Sequence, residues 1–324
     1  MLSGSTRTIR HGYHIDAVME PYAHRDRCPA CGTKSPVTHP TVRSNPPAEE
    51  LPLSALGAFL SGYSSRRVFF TYHRCRICGA LYCPLFLSQD QLDILYQRQQ
   101  ENMAEVPLPA RVATQRGYLE ILRRYPVRDG DYLELGPDIG LFAKACAEAA
   151  PFGQFHLFEP NLEVHPVLVE SLRGHNARVT AAPYSPDRIA SGSLAVAVAI
   201  HVLDHLLDPV STLEGLRGNM QAGGLLFLVT HDESSLLARA LGRRWPPFTL
   251  QHPQLFSPQS LGRLLRRCGF EVVACQKTRN FFPLSHFASA ALSIVGLRRV
   301  STARIPSPVI GLRLGNIATV ARKG

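Results

Sequence analysis

YLELGPDIGLFAKA, residues Tyr132–Ala145, joins a short apolar run to a helical one through a turn that carries Gly136 and Gly140. Tyr132–Leu135 has the length and apolar content of a buried strand, and Leu141 onward repeats its apolar residues at helical spacing. Glycines at such a strand-to-helix turn let the backbone bend sharply and come close to a ligand. In an open α/β sheet, ligands sit at the C-terminal ends of the strands near the point where strand order reverses. This turn is therefore the first candidate binding loop.

Strands alternate with helices on both sides of this turn and on to Arg322. Strands are expected at Gln154–Phe158, Arg178–Ala181, Ser193–Ile200, Gly224–Thr230, Phe270–Gln276 and Ile317–Arg322. Helices are expected at Val112–Tyr125, Leu141–Ala150, Leu162–Arg173, Leu206–Met220, from Ser257-Pro258 to Cys268-Gly269, and at Leu284–Leu297. Short apolar strands separated by helices imply a doubly wound, mostly parallel seven-stranded sheet covered on both faces. A long loop, Asp232–Leu255, carries Trp245-Pro246-Pro247 and, with the helix at Leu284–Leu297, is expected to roof an acceptor pocket. Upstream the composition changes: residues 1–27 are polar and expected to be loosely ordered, and 33–66 are rich in Pro, Ser and Gly. Val68–His73 alternates as a strand does, and a helix is expected at Asp90–Arg98. The expected division is a smaller unit at 1–106, with its Cys-rich part at about 28–90 and a linker, and a larger one at 107–324.

A second acid sharpens the binding loop. Glu159 closes the second strand, 23 residues after Gly136, where a carboxylate can accept both hydroxyls of a nucleoside ribose. A dinucleotide would place its pyrophosphate on the helix N-terminus and want glycine at the middle of the loop. Asp138 stands there instead, and its carboxylate would repel phosphate. S-adenosylmethionine carries a sulfonium and an ammonium and no phosphate, so Glu134 and Asp138 favour it. Asp138 could also simply cap the following helix.

Several ordered segments together resemble class I S-adenosylmethionine-dependent methyltransferases. ELGPDIG (Glu134–Gly140) resembles the family's E/D-x-G-x-G-x-G loop, departing from it at Asp138, and FEPN (Phe158–Asn161) resembles its ribose-binding segment. HVLDHLLDP (His201–Pro209) and QHPQLFSPQSLGRLLRRCGFEVV (Gln251–Val273) resemble two further segments of one branch, with Asp204 in place of a usual Glu. CPACG (Cys28–Gly32), RCRICGALYCP (Arg74–Pro84) and LSQDQLDILY (Leu87–Tyr96) resemble the Cys-rich lead of branch members that bear a zinc ribbon. The resemblance implies a Rossmann-like methyltransferase fold with a small N-terminal zinc-ribbon-like domain. It implies that Glu134, Gly136, Asp138, Gly140, Glu159, Pro160 and His201 hold the cofactor, with His201 at its methionine end.

The two Cys-x-x-Cys pairs, Cys28/Cys31 and Cys75/Cys78, make a complete set of four thiolate ligands for zinc. The spacer of 43 residues means that the two knuckles must meet through tertiary structure. No open coordination position is implied, so the zinc is read as structural; a decayed, metal-free site is the alternative. Cys83, His24 and His73 are spare donors, and Cys146, Cys268 and Cys275 read as core or half-buried thiols.

Methyl transfer needs alignment and, for many acceptors, a base. Candidate bases follow the strands: Tyr184, then His201 and His205, then His231 and Asp232, with His252 in the long loop. His205 and His252 match family positions and are the first choices for catalysis. The expected acceptor is a small molecule, a sugar or secondary metabolite, methylated at oxygen or carbon. Two alternatives stand beside it: an RNA or DNA methyltransferase that uses the ribbon and basic flanks, and a non-catalytic S-adenosylmethionine-binding module. The chain has a net charge of +10, divided as +5 over 1–125, −1 over 126–283 and +6 over 284–324, so its excess lies on the flanks. With 31 Arg and 4 Lys, an ordinary Arg-rich surface explains this equally. Base N-methylation uses Asn-Pro-Pro-aromatic after the fourth strand; here that position reads His201-Val202-Leu203-Asp204, and Asn45-Pro46-Pro47 lies outside the core. No run of about 18 apolar residues and no secretory signal at Met1–Arg10 are seen, so a cytoplasmic protein without a membrane span is expected.

Overall fold

The computed structural model describes residues 22–34, 38–59, 67–96, 106–287, 289 and 307–324. The expectations for residues 1–21 and 97–105 lie outside these, as does the expected helix at Leu284–Leu297 beyond a helical start at 284–287 and residue 289.

Seven strands form the main sheet: β1 (Asp131–Leu135), β2 (Phe155–Phe158), β3 (Ala177–Thr180), β4 (Leu194–Ile200), β5 (Met220–His231), β6 (Phe270–Lys277) and β7 (Asn316–Lys323). Their order is β6-β7-β5-β4-β1-β2-β3. β1 pairs in parallel with both β2 and β4, and β4 with β5, while β7 runs antiparallel between β5 and β6. The chain thus winds outward from β1 in one direction and from β4 in the other, which opens a crevice at the C-terminal ends of β1 and β4. The expected doubly wound, mostly parallel sheet is present.

Side chains alternate across the strands and bury both faces. Tyr132, Val196, Val198, Phe227 and Val320 pack against α1 (Leu108–Leu122), α2 (Leu141–Ala149) and α3 (His165–Ser171), with Phe142 stacked on Phe227 at 5.5 Å between centroids. Leu133, Leu135, Ala197, Leu226 and Leu228 face α4 (Pro209–Asn219) and the helix α6 (Pro258–Arg267), which supplies Leu261, Leu264 and Leu265. Between these two helices lies the short α5 (Leu236–Leu241). α6 begins with a capping box between Ser257 and Ser260 and stops at Gly269, whose φ of +77° glycine adopts without strain. Cys146 and Cys268 are buried as expected, but Cys275 is exposed: β6 is the sheet edge, and its odd-numbered positions from Glu271 onward face outward.

The N-terminal unit is an antiparallel sheet of Thr38–Val42, Tyr72–Cys75 and Leu81–Tyr82, whose fourth strand, Gln254–Leu255, comes from the long loop of the larger unit. Phe69, Phe70 and Tyr72 pack with Trp245, Phe248 and Leu250 from that same loop in one apolar cluster. The loop expected at Asp232–Leu255 is therefore a structured arm wedged between the two units. Trp245 is an anchor buried in this cluster.

Candidate functional site

The binding loop between β1 and α2 is held in a backbone conformation that few residues accept. Gly136, Asp138 and Gly140 all have positive φ, at 60°, 55° and 79°. At Gly136 a Cβ would meet Val202 Cγ2 at 2.8 Å, and at Gly140 it would strike the Ser171 hydroxyl and Leu168. Aspartate is one of the few other residues that visit this region, because its short polar side chain bonds locally. Here the Asp138 carboxylate pairs with Arg111 of α1 at 2.6 Å. It does not cap α2, whose N-cap is Gly140 with no side-chain bond. Arg111 is a partner that the sequence reading did not identify, since it lies 27 residues upstream on another helix.

Glu159 stands at the end of β2, buried, and both of its oxygens are engaged. Oε2 accepts the Asp138 amide at 3.0 Å and Oε1 accepts the Asn161 amide at 2.9 Å. The acid thus links the two loops that resemble the cofactor segments. Burial raises its pKa, and the amides oppose that shift. Glu134, at the end of β1, is buried and accepts the Tyr132 hydroxyl at 2.6 Å. Burial, with added repulsion from Glu159 and Asp138, pushes its carboxyl up to about 8 against that hydrogen bond. Pro160 is exposed beside them.

Across the crevice, five side chains from three segments converge. His201, Asp204 and His205 follow β4, His231 ends β5, and His252 comes from the arm. His231 Nδ1 lies 2.6 Å from Asp204 Oδ2, and the His231 amide donates to the same oxygen at 3.3 Å. Since a carboxylate only accepts, the imidazole carries its proton on Nδ1 and presents the lone pair of Nε2. Asp204 is fully buried, and its Oδ1 has no hydrogen-bond partner among the described residues. Burial alone would raise its pKa, but the surrounding rings of His231, His252 and His205 hold it well below the usual carboxylate range.

His201 has a φ of +53°, a buried Nδ1 without a hydrogen-bond partner among the described residues, and a ring 4.7 Å from that of His231; burial pulls its pKa down to about 3. His205 and His252 form a pair with Nε2 atoms 3.0 Å apart. His252 Nδ1 reaches the Pro247 carbonyl at 2.6 Å, and burial lowers the pKa of both rings. The sequence singled out His205 and His252 from the resemblance. It did not pair His231 with Asp204, which are 27 residues apart, one at the end of β5 and the other in the turn after β4. Tyr184 is a packing residue against Phe158 whose hydroxyl bonds Asn219.

The arm that carries His252 is tied to the N-terminal unit. Tyr72 Oη donates to the His252 carbonyl at 2.6 Å, and Arg25 reaches Pro253 O and Gln254 Oε1. Gln254 in turn donates to the carbonyls of Leu203 and Leu206. Arg74 forms a two-pronged bond with Glu233 at 2.8 and 2.9 Å. In the same unit Cys28, Cys31, Cys75 and Cys78 bring their sulfurs together, all within 4.8 Å of one another, with 3.4 Å for Cys28–Cys78 and 3.9 Å for Cys31–Cys75. Tetrahedral zinc at about 2.3 Å from each sulfur needs sulfur–sulfur separations of about 3.8 Å, so the set fits the ion. Cys83 stands apart, bonded to the Phe70 carbonyl in the apolar cluster.

The model of a methyltransferase-domain family matches residues 108–275, just over half of the chain. The chain belongs to that family. The methyltransferase is therefore an S-adenosylmethionine-dependent enzyme, and S-adenosylmethionine is its cofactor. Solved structures similar to this methyltransferase include a chain from the complex of the Haloferax volcanii Trm112 methyltransferase activator, at 13% identity and a TM-score of 0.48 over 65% of this chain and 90% of that one. A SAM-dependent methyltransferase from Methanosarcina mazei is similar at 16% identity and a TM-score of 0.42, over 63% and 96%. The YcgJ protein of Bacillus subtilis is similar at 14% identity and a TM-score of 0.46, over 64% and 98%. No curated protein matches the methyltransferase. Among the described residues no helix is long and apolar enough to cross a membrane.

Proposed function

We propose that the enzyme methylates oxygen or carbon of a small-molecule acceptor, a sugar or secondary metabolite, in the cytoplasm. The observation that carries this reading is the Asp204–His231 pair at the C-terminal ends of β4 and β5, with its 2.6 Å contact. Glu134, Gly136, Asp138, Gly140, Glu159, Pro160 and His201 are the residues assigned to the cofactor. Glu159 would exchange its loop amides for ribose hydroxyls, and the glycines let the backbone come close. S-adenosylmethionine supplies an electrophilic methyl group on a sulfonium.

His231 is assigned as the proton acceptor. Its Nε2 takes the proton from the acceptor's O–H or activated C–H as the new bond to the methyl carbon forms, and the electron pair of the old S–C bond stays on sulfur. Buried Asp204 fixes the tautomer and stabilises the resulting imidazolium. His205 and His252 line the acceptor side, held there by the arm. In the N-terminal unit, Cys28, Cys31, Cys75 and Cys78 would hold a structural zinc that keeps the arm's supporting sheet in place.

A nucleic-acid acceptor is the second reading, and one feature favours it. Arg43, Arg74, Arg239 and Arg243 line a cleft between the N-terminal sheet and the arm. Two of these charges are already matched, Arg74 by Glu233 and Arg43 by Glu50, which weakens the cleft as a phosphate track.

The test is transfer of labelled methyl from S-adenosylmethionine to hydroxylated and enolisable small molecules by the wild type, His231→Asn and Asp204→Asn. Both variants are expected to bind cofactor normally and to lose about 100- to 10,000-fold in turnover. Full turnover by His231→Asn would overturn the proton-acceptor assignment. A salt-sensitive shift with RNA, without small-molecule transfer, would favour the second reading.

A further inference from the structure

We propose that Asp204, His205 and His252 form a second metal site in this protein, separate from the four cysteines, which takes a divalent transition-metal ion at the acceptor side. Three observations support it. First, one ligand atom from each of the three residues lies within 4.8 Å of the others. Second, Asp204 is fully buried, yet its Oδ1 has no partner among the described residues, while Oδ2 is occupied by His231. A carboxylate oxygen sealed from water without a donor is costly, and a cation is the partner it lacks. Third, the two imidazoles have the geometry of ligands. His252 Nδ1 is engaged by the Pro247 carbonyl, which makes Nδ1 the protonated nitrogen and directs the lone pair of Nε2 toward His205. A ring N–H fixed by a carbonyl is the common outer partner of a metal-bound histidine.

The separation of the two Nε2 atoms, 3.0 Å, is also informative. Imidazole nitrogens about 2.0–2.1 Å from one ion stand about 2.9–3.4 Å apart, from neighbouring octahedral to tetrahedral positions. The same distance allows a hydrogen bond from His205 to His252, but that bond leaves Asp204 Oδ1 bare. Two imidazoles and one carboxylate select zinc, iron(II), cobalt(II) or manganese(II) over magnesium or calcium. Three protein ligands leave coordination positions open, as in sites that bind water or a substrate oxygen. An acceptor with a hydroxyl or enolate oxygen is the class such an ion would hold. A second possible triad, His201, Asp204 and His231, shares the carboxylate. It is less suited because His231 Nδ1 already contacts Asp204 Oδ2.

The inference rests on reading these strand ends as the acceptor side, but its test uses no acceptor, so the two can fail separately. The full-length protein would be saturated with zinc, freed of excess and assayed for bound metal. The wild type is expected to hold one more equivalent than His205→Gln and than Asp204→Asn, with the cysteine-bound equivalent unchanged in both. Unfolding melts and S-adenosylmethionine binding would check that the variants fold. As a second measurement, cobalt(II) added to wild type that carries only the cysteine-bound zinc equivalent should give visible d–d bands without a thiolate charge-transfer band. Equal metal content in wild type and in folded variants, or no such cobalt spectrum, would overturn the proposal. Loss of the extra equivalent in His231→Asn but not in His205→Gln would move the ion to the other triad and overturn the assignment as well.

Discussion

At the scale of single residues, two buried acids have different environments. Glu159 is held by two backbone amides. Glu159→Ala is expected to weaken S-adenosylmethionine binding by about 10- to 150-fold, equivalent to about 1.5–3 kcal/mol for charged hydrogen bonds, as read by calorimetry. Undiminished affinity would remove Glu159 from the ribose site. Among the described residues Glu134 accepts only the Tyr132 hydroxyl; buried, and facing the charges of Glu159 and Asp138, it is raised to about 8. An unfolded glutamate ionises near 4.3, so between about pH 4.3 and 8 the native state binds the extra proton. The contribution of Glu134 to stability is therefore fully present below about pH 4.3 and is lost as pH rises through about 8. Melts of wild type and Glu134→Gln from pH 5 to 8.5 should show the wild type losing stability relative to the variant as pH rises. A constant difference would show that Glu134 is ionised in the fold.

At the scale of elements, the β1–α2 turn is where sequence and structure differ most usefully. The sequence shows Asp138 where related loops have glycine, and the structure shows it at a φ of +55° and paired with Arg111. Asp138→Ala and Asp138→Gly both remove the carboxylate, so their difference isolates the backbone. The alanine variant should be less stable than the glycine variant by about 1–2 kcal/mol in urea unfolding. Equal stabilities would mean that the turn relaxes out of this conformation. The ends of α6 were legible because caps and stops are local: the helix begins after Ser257 and stops at Gly269, as expected, whereas the other helices and β5 begin up to four residues from their expected starts. The arm at Asp232–Leu255 read as a loop because its order comes from elsewhere. Its strand is two residues long and pairs with Leu81–Tyr82, about 170 positions upstream in the chain.

At the scale of the whole molecule, the cysteine-bearing sheet and the histidine cluster are one mechanical assembly. Cys75 ends one strand of a sheet whose last strand is Gln254–Leu255, two residues from His252, and Tyr72 Oη donates to the His252 carbonyl. The loops proposed to hold the cofactor follow β1 and β2, outside that sheet. Cys31→Ser is therefore expected to lose zinc and at least 10-fold in turnover while S-adenosylmethionine affinity stays within about two-fold. Equal loss of cofactor affinity would show that the two units melt together.

The sheet, the glycine turn with its following acid, and the four-cysteine set are legible in the chain alone, because each is written in local spacing: strand-helix alternation, Gly136 and Gly140 ahead of Glu159, two Cys-x-x-Cys turns. Only the tertiary structure decided which histidines share a carboxylate, that Asp138 belongs to Arg111, and that the N-terminal sheet borrows its fourth strand from the arm. Those pairings join residues 27 to about 170 positions apart. Packing of adjacent strands, and the need to satisfy buried charge, brings them together, and neither leaves a periodic trace in the chain.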